Sequence, residues 1–99
     1  SAASLPLLEG VQDYASMGLV PAGLYRNRDY VGDKCIISET VSQTAGDMMF
    51  DPQTSGGLLI SLPHKHAESL VDALLSSGNS SAAMIGTVSG EKSGTIFLS

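Results

Sequence analysis

Residues 51–57, with the sequence Asp-Pro-Gln-Thr-Ser-Gly-Gly, carry the densest set of groups that could do chemistry in this chain. Thr54 and Ser55 supply hydroxyls, and the two glycines after them let the backbone approach a ligand closely. Successive backbone N–H groups in such a turn can form an anion-binding nest. The alternative is a structural turn in which Asp51 caps local N–H groups and the glycines adopt positive φ. Spacing alone favours the structural turn without excluding a binding loop.

Other candidate groups have plainer explanations. His64 and His66 resemble a metal pair, but residues two apart on a helix do not face each other, and no partner lies at ligand spacing. We therefore expect solvated histidines and no metal site. Cys35 lies in an apolar context without an adjacent His or Asn, which predicts a buried structural thiol. Arg26 and Arg28 could touch a phosphate or a neighbouring carboxylate, although a solvated face is the default for such a pair.

Larger catalytic arrangements are missing from the sequence. No Ser-His-Asp set or paired-carboxylate cleft can be assembled from spacing. Neither the Gly-x-Gly-x-x-Gly pattern nor a Walker A pattern occurs among the 11 glycines. We therefore predict no catalytic residue from the sequence pattern itself.

Composition excludes several classes of protein. The 99 residues, with 5 Lys+Arg against 10 Asp+Glu and a net charge of −5, suit one small domain and not a nucleic-acid-binding surface. No apolar run reaches the roughly 18 residues that span a bilayer, and no secretory signal is visible. A single cysteine gives no disulfide framework, so a cytoplasmic location is expected. Because the chain begins Ser-Ala-Ala without Met, we expect a processed chain or a piece of a longer one.

Periodicity predicts helices over 5–17 and 64–77, which Gly18 and Gly78 would follow as left-handed end residues. Between them the pattern is weaker. Residues 19–23, which include a proline and a glycine, are expected to form a turn or an extended link. Residues 35–37 could be a short strand or the buried edge of a helix, and 38–45 could be a short helix with its first residue, a serine, as N-cap.

Three short apolar runs predict strands over 58–62, 83–88 and 95–98. The glycine-flanked residues 90–94 predict a hairpin turn, so the last two strands should pair antiparallel. The expected fold is α+β, with a small mixed β-sheet and helices packed on one face.

Residues 51–60, Asp-Pro-Gln-Thr-Ser-Gly-Gly-Leu-Leu-Ile, resemble the signature of the C-terminal domain of the selenophosphate synthetase (selenide, water dikinase) family. Three further segments resemble that family in the same order along the chain. They are 5–10, 18–27 with its Gly-x-x-Pro-x-Gly…Asn pattern, and 85–88. The resemblance covers residues 4–98.

The resemblance implies an enzyme that makes selenophosphate, AMP and phosphate from selenide, ATP and water, for selenocysteine and selenium-modified tRNA. It also implies the fold of the aminoimidazole ribonucleotide synthetase superfamily, with an N-terminal domain that forms a homodimer. In that family the reactive Cys or selenocysteine, its Lys partner and the aspartates for Mg²⁺ and ATP lie outside the segment that this chain resembles. We therefore expect this domain, 1–99, to bind neither cofactor alone and to need the N-terminal domain as its partner.

What the resemblance carries over to this chain is one motif near the interdomain cleft. Its candidate residues are Asp51, Gln53, Thr54, Ser55, Gly56 and Gly57. Cys35 does not match the family's catalytic cysteine. The chain starts after the expected first helix and strand of the domain, so an exposed apolar face or a dimer through an open strand edge is expected.

Two alternatives remain from the sequence. One is the C-terminal domain of another ATP-dependent member of the superfamily, such as a thiamine-monophosphate kinase or a hydrogenase-maturation protein. The other is a stand-alone α+β ligand-binding module without catalysis.

Overall fold

The computed structural model describes residues 1–99 and contains four short α-helices and one pair of strands. The elements are α1 (Val11–Ser16), α2 (Ala22–Val31), β1 (Cys35–Ile37), α3 (Gln43–Met48), α4 (Ala67–Ser76) and β2 (Ile96–Leu98). Single 3₁₀ turns occupy Ala2–Ser4, Gly32–Lys34 and His64–His66. None of the helices combines the length and the apolar character that spanning a lipid bilayer requires.

The first predicted helix is shorter than expected. It was expected over 5–17, but α1 begins at Val11 because Gly10 has a φ of +78° and breaks the helical path before it. The prediction for its end is confirmed, since Gly18 follows with a φ of +77°.

Helix α2 begins within the expected turn or link and continues through residues to which the sequence assigned no element. Pro21 adopts an extended backbone immediately before the helix, a suitable conformation for an N-terminal boundary residue. Leu24, in the first turn, is completely buried. Pro and Gly here mark a helix start, and not an extended link.

The short helix predicted over 38–45 lies further along the chain. Helix α3 begins at Gln43, and the hydroxyl of Ser42 accepts a hydrogen bond from the Ala45 backbone N–H at 3.2 Å. Ser38 is not the N-cap. Its own hydroxyl instead accepts a bond from the Thr40 N–H at 3.3 Å, in the turn between β1 and α3.

The sheet has two parallel strands, which corrects the predicted mixed sheet with an antiparallel last pair. Cys35 lies opposite Ile96 and Ile37 opposite Leu98. The Ser38 N–H extends the ladder with a 2.8 Å bond to the Leu98 carbonyl. Of the alternatives left open for 35–37, the strand is confirmed, and β2 confirms a strand within 95–98.

The predicted strands over 58–62 and 83–88 are wrong. Neither stretch has a strand partner in the structure, and without a ladder an apolar run does not become a strand. Leu58 and Val88 are 91% and 86% exposed, so these runs are not buried either. The helix predicted over 64–77 is confirmed as a 3₁₀ turn continuing into α4, and Gly78 follows with a φ of +95°.

Few residues are buried. The buried hydrophobic side chains are those of Leu24 on α2, Phe50 after α3 and Leu98 on β2. Gly46, on α3, is also buried and lies beside Ile37 of β1. The core therefore lies where α2, α3 and the sheet meet, next to the start of residues 51–57.

Candidate functional site

Residues 51–57, which we call the motif loop, connect α3 to the 3₁₀ turn before α4. All of them are exposed, and Thr54 and Ser55 form a bend. The one backbone bond inside the loop runs from the Gln53 N–H to the Asp51 carbonyl at 3.0 Å. The structure thus keeps every candidate residue of the motif on one continuous, open stretch of chain.

The structural-turn explanation for this loop fails on two points. Gly56 and Gly57 are not among the glycines with positive φ, so their backbone does not require glycine. The Asp51 carboxylate makes no hydrogen bond to a loop N–H. A Cβ added at Gly57 would meet no atom within 4 Å. Nothing within this chain explains why residue 57 should be glycine.

The base of the motif loop is held by α2. The side-chain amide of Asn27 donates a 2.9 Å hydrogen bond to the Phe50 carbonyl. One turn earlier, Gly23 lies so close to Pro52 that a Cβ there would stand 2.8 Å from the proline Cγ. Both sides of Asp51 are therefore fastened to the same helix.

Arg28 is engaged in the fold. Its guanidinium forms an ion pair with Asp47 on α3 and lies 5.6 Å from the centroid of the Phe50 ring. Contact with a neighbouring carboxylate, one of the alternatives left open by the sequence, is therefore confirmed for this residue, and the default of a solvated face is wrong. Arg26 is exposed, as expected.

The remaining candidates stay apart. His64 and His66 are exposed on their 3₁₀ turn, as expected. No group of three or more His, Cys, Asp or Glu side chains comes together in a way that could hold a metal ion. Cys35 is half-buried on β1, where a structural role fits its packing.

Two shallow depressions adjoin helix α3. One, of about 290 Å³, is bordered by Arg28, Ile37 and the first turn of α3. The other, of about 260 Å³, is bordered by the end of α1, Tyr25 and Thr44. Neither of these two depressions includes a residue of the motif loop.

Sequence reasoning assigned no role to Gly23 and Asn27, although both lie in a segment that carried the family resemblance. The available signal was their spacing of four residues, which places them on one face of a helix. This spacing indicates a shared face only in a helix, and the expected link over 19–23 gave no reason to apply it.

The motif loop carries groups that suit the binding of a ligand. The loop presents two hydroxyls, a side-chain amide at Gln53 and exposed backbone groups, all of which can donate hydrogen bonds to an anionic group.

Comparison with known proteins identifies relatives that are named selenide, water dikinase. The chain is 47% identical over 70 residues to the selenide, water dikinase of Clostridium botulinum strain Alaska E43, covering 71% of this chain and 20% of that relative. It is 37% identical over 98 residues to selenide, water dikinase 2 of Peptoclostridium acidaminophilum, covering 99% of this chain and 28% of that relative. The enzyme of Pelobacter propionicus is 45% identical over 87 residues, or 88% of this chain.

No protein-family model matches the chain. No solved structure matches it either, so the superfamily fold implied by the resemblance stays a prediction. The chain spans between 20% and 28% of the length of the two relatives named first. Similarity over almost the whole chain, at 37% to 47% identity to these three relatives, confirms the resemblance, and the chain belongs to the selenide, water dikinase family.

Proposed function

We propose that this chain acts as the C-terminal domain of an enzyme that makes selenophosphate, AMP and phosphate from selenide, ATP and water. The observation that carries this proposal is the similarity to selenide, water dikinases over as much as 99% of the chain. The Clostridium, Peptoclostridium and Pelobacter relatives all bear that name, which favours this function over other ATP-dependent enzymes and over a stand-alone binding module.

In this proposal the domain contributes the motif loop to a cleft between two domains. The loop is exposed along its whole length, and Gly57 has open space around it. Both features suit a surface that receives a ligand or a second domain. The candidate residues remain Asp51, Gln53, Thr54, Ser55, Gly56 and Gly57.

The reactive groups and most of the Mg²⁺ and ATP ligands are proposed to lie in the N-terminal part of the enzyme, which is expected to form a homodimer in the cytoplasm. The motif loop offers hydroxyl and amide donors, which suit a supporting role beside those groups. The hydroxyls of Thr54 and Ser55 would hold an anionic group in place. They would not transfer it.

The decisive experiment is a Gly57→Ala substitution in the intact enzyme that carries this segment. A Cβ at residue 57 meets nothing in this chain, so the domain itself should tolerate it. Selenide-dependent AMP formation should nevertheless fall about tenfold or more, because the methyl group enters the space of a ligand or of the facing domain.

Gly90→Ala is the matched control, since that glycine is likewise exposed, has open space around it and lacks a positive φ. It should leave the rate unchanged. Equal and full activity of both variants would refute a role for the motif loop. Selenide-dependent AMP formation by the 99-residue chain alone would refute the proposed division between domains.

A further inference from the structure

Helix α2 fastens the motif loop on both sides of Asp51. Gly23 and Asn27 are four residues apart and share one face of the helix. Gly23 faces Pro52, and Asn27 faces the carbonyl of Phe50. The position of the motif loop is therefore set by a helix that contributes no residue to the loop.

The contact at Gly23 depends on the absence of a side chain. A Cβ at this position would stand 2.8 Å from Cγ and 3.1 Å from Cβ of Pro52. The first distance is shorter than carbon atoms tolerate, and the proline ring cannot rotate away as a flexible side chain would. Any substitution here must push Pro52, and with it the loop, away from α2.

The contact at Asn27 depends on a donor. Its Nδ2 lies 2.9 Å from the backbone oxygen of Phe50, a residue that is only 7% exposed. Phe50 is thus anchored by its ring in the core and by its carbonyl on α2. The next residue, Asp51, is the first of the motif loop, so a displacement of the Phe50 backbone also displaces the loop.

We propose that Gly23 and Asn27 are positioning residues for the reaction of the intact enzyme, and that they act by fixing where the motif loop presents Thr54 and Ser55. Neither residue belongs to the loop. This inference rests on the proposed function, because it requires the loop to take part in the reaction.

The test measures kcat and KM for ATP in the intact enzyme with selenide as the second substrate. Asn27→Ala should lower kcat/KM about fivefold, the value expected for one lost neutral hydrogen bond. Asn27→Asp should lose at least as much, because a carboxylate cannot donate to the Phe50 carbonyl. Asp29→Ala, an exposed change on the same helix, should have no effect.

Gly23→Ala gives a second and sharper test, because its partner can be shortened. The single variant should lose about tenfold in kcat/KM. Pro52→Ala removes the proline Cγ, the atom closest to the new Cβ. In a protein that already carries Pro52→Ala, adding Gly23→Ala should therefore lower kcat/KM much less than it does in the unmodified enzyme. Additive losses in the double variant would show that the contact between residues 23 and 52 does not carry the effect.

Two results would overturn the inference. If Asn27→Asp and Gly23→Ala match the Asp29→Ala control while Gly57→Ala is impaired, the loop takes part in the reaction but α2 does not position it. If Gly57→Ala is also fully active, the loop role in the proposed function fails and the positioning role fails with it. Melting temperatures within the range of the control variant confirm that the losses are not due to unfolding.

Discussion

Arg28 on α2 forms an ion pair with Asp47 on α3, and the two side chains are 37% and 15% exposed. The same guanidinium lies 5.6 Å from the centroid of the Phe50 ring. One side chain therefore links two helices to the residue that precedes the motif loop. Because the pair is partly withdrawn from water, it is less screened than a pair on the open surface.

This pair should make a measurable contribution to stability. Arg28→Ala and Asp47→Ala should each lower the free energy of unfolding by about 1–2 kcal/mol, between the values for exposed and buried pairs. The double variant should lose clearly less than the sum, since the second change removes a charge already without its partner. Urea denaturation followed by circular dichroism measures all three, and strictly additive losses would contradict the interaction.

The packing of α3 against the sheet should limit the size of the side chain at position 46. A Cβ there would lie 3.4 Å from Cδ1 of Ile37, a contact that needs at most a small shift of the isoleucine. Gly46→Ala should therefore be neutral or stabilise by up to about 1 kcal/mol, through better helix propensity. Gly46→Val should destabilise by about 1–3 kcal/mol through overpacking.

Ile37→Ala supplies the matched partner for this test. It opens space opposite Gly46, so the combination of Gly46→Val with Ile37→Ala should be more stable than the sum of the single losses predicts. Thermal unfolding of the four proteins would decide the point. A Gly46→Val protein as stable as the Gly46→Ala protein would show that the two elements do not limit each other.

Local signals in the sequence predicted several elements correctly. Gly18 and Gly78 end their helices with positive φ, as their positions after apolar periodic stretches indicated. The apolar run at 95–98 also indicated the strand found there, and a strand at Cys35–Ile37 was one of the two alternatives that the sequence left open. Each of these features depends on residues that are neighbours in the chain.

The errors concern relationships between distant segments. Residues 58–62 are as apolar as a buried strand, yet apolar composition does not supply a pairing partner, and none exists in this structure. The actual pair joins Ile37 to Leu98 in parallel, a pairing that local patterns do not encode. Likewise, the motif loop was recognisable from its sequence, but its attachment to Asn27 was not.

The parallel ladder and the turn after it predict that proline substitutions at two adjacent residues differ sharply in their effect on stability. Ser38→Pro removes the N–H that bonds the Leu98 carbonyl at 2.8 Å, so it should destabilise the chain by about 1–3 kcal/mol. Glu39 occupies the second position of the turn closed by the 3.0 Å bond from Val41 N–H to the Ser38 carbonyl. Proline is favoured there.

Glu39→Pro should therefore be neutral or stabilising, because it restricts the unfolded chain at a compatible site. No non-glycine residue in the structure has positive φ, which excludes the turn type that needs it at Thr40. Urea midpoints of the two proline variants would show the contrast. Equal losses at both positions would indicate that Ser38 does not pair with Leu98.

Cys35 should be dispensable for chemistry. It is half-buried on β1 opposite Ile96, and it has no contact among those that hold the motif loop. Cys35→Ala in the intact enzyme should leave selenide-dependent AMP formation within about twofold, the effect of a change of less than about 0.5 kcal/mol. A tenfold loss without a change in melting temperature would place this thiol in the reaction.

Leu58 and Leu59 should promote self-association of the 99-residue chain. They are 91% and 83% exposed and lie side by side directly after the motif loop. Contiguous apolar surface of this kind drives association, whereas single exposed leucines rarely do. Replacing both by serine should leave the free energy of unfolding within about 0.5 kcal/mol but lower the sedimentation coefficient at high concentration. Leu8→Ser, an 81% exposed control elsewhere, should leave association intact. A chain that sediments as a monomer at every concentration, or a Leu8 variant equal to the double variant, would contradict an association surface at these residues.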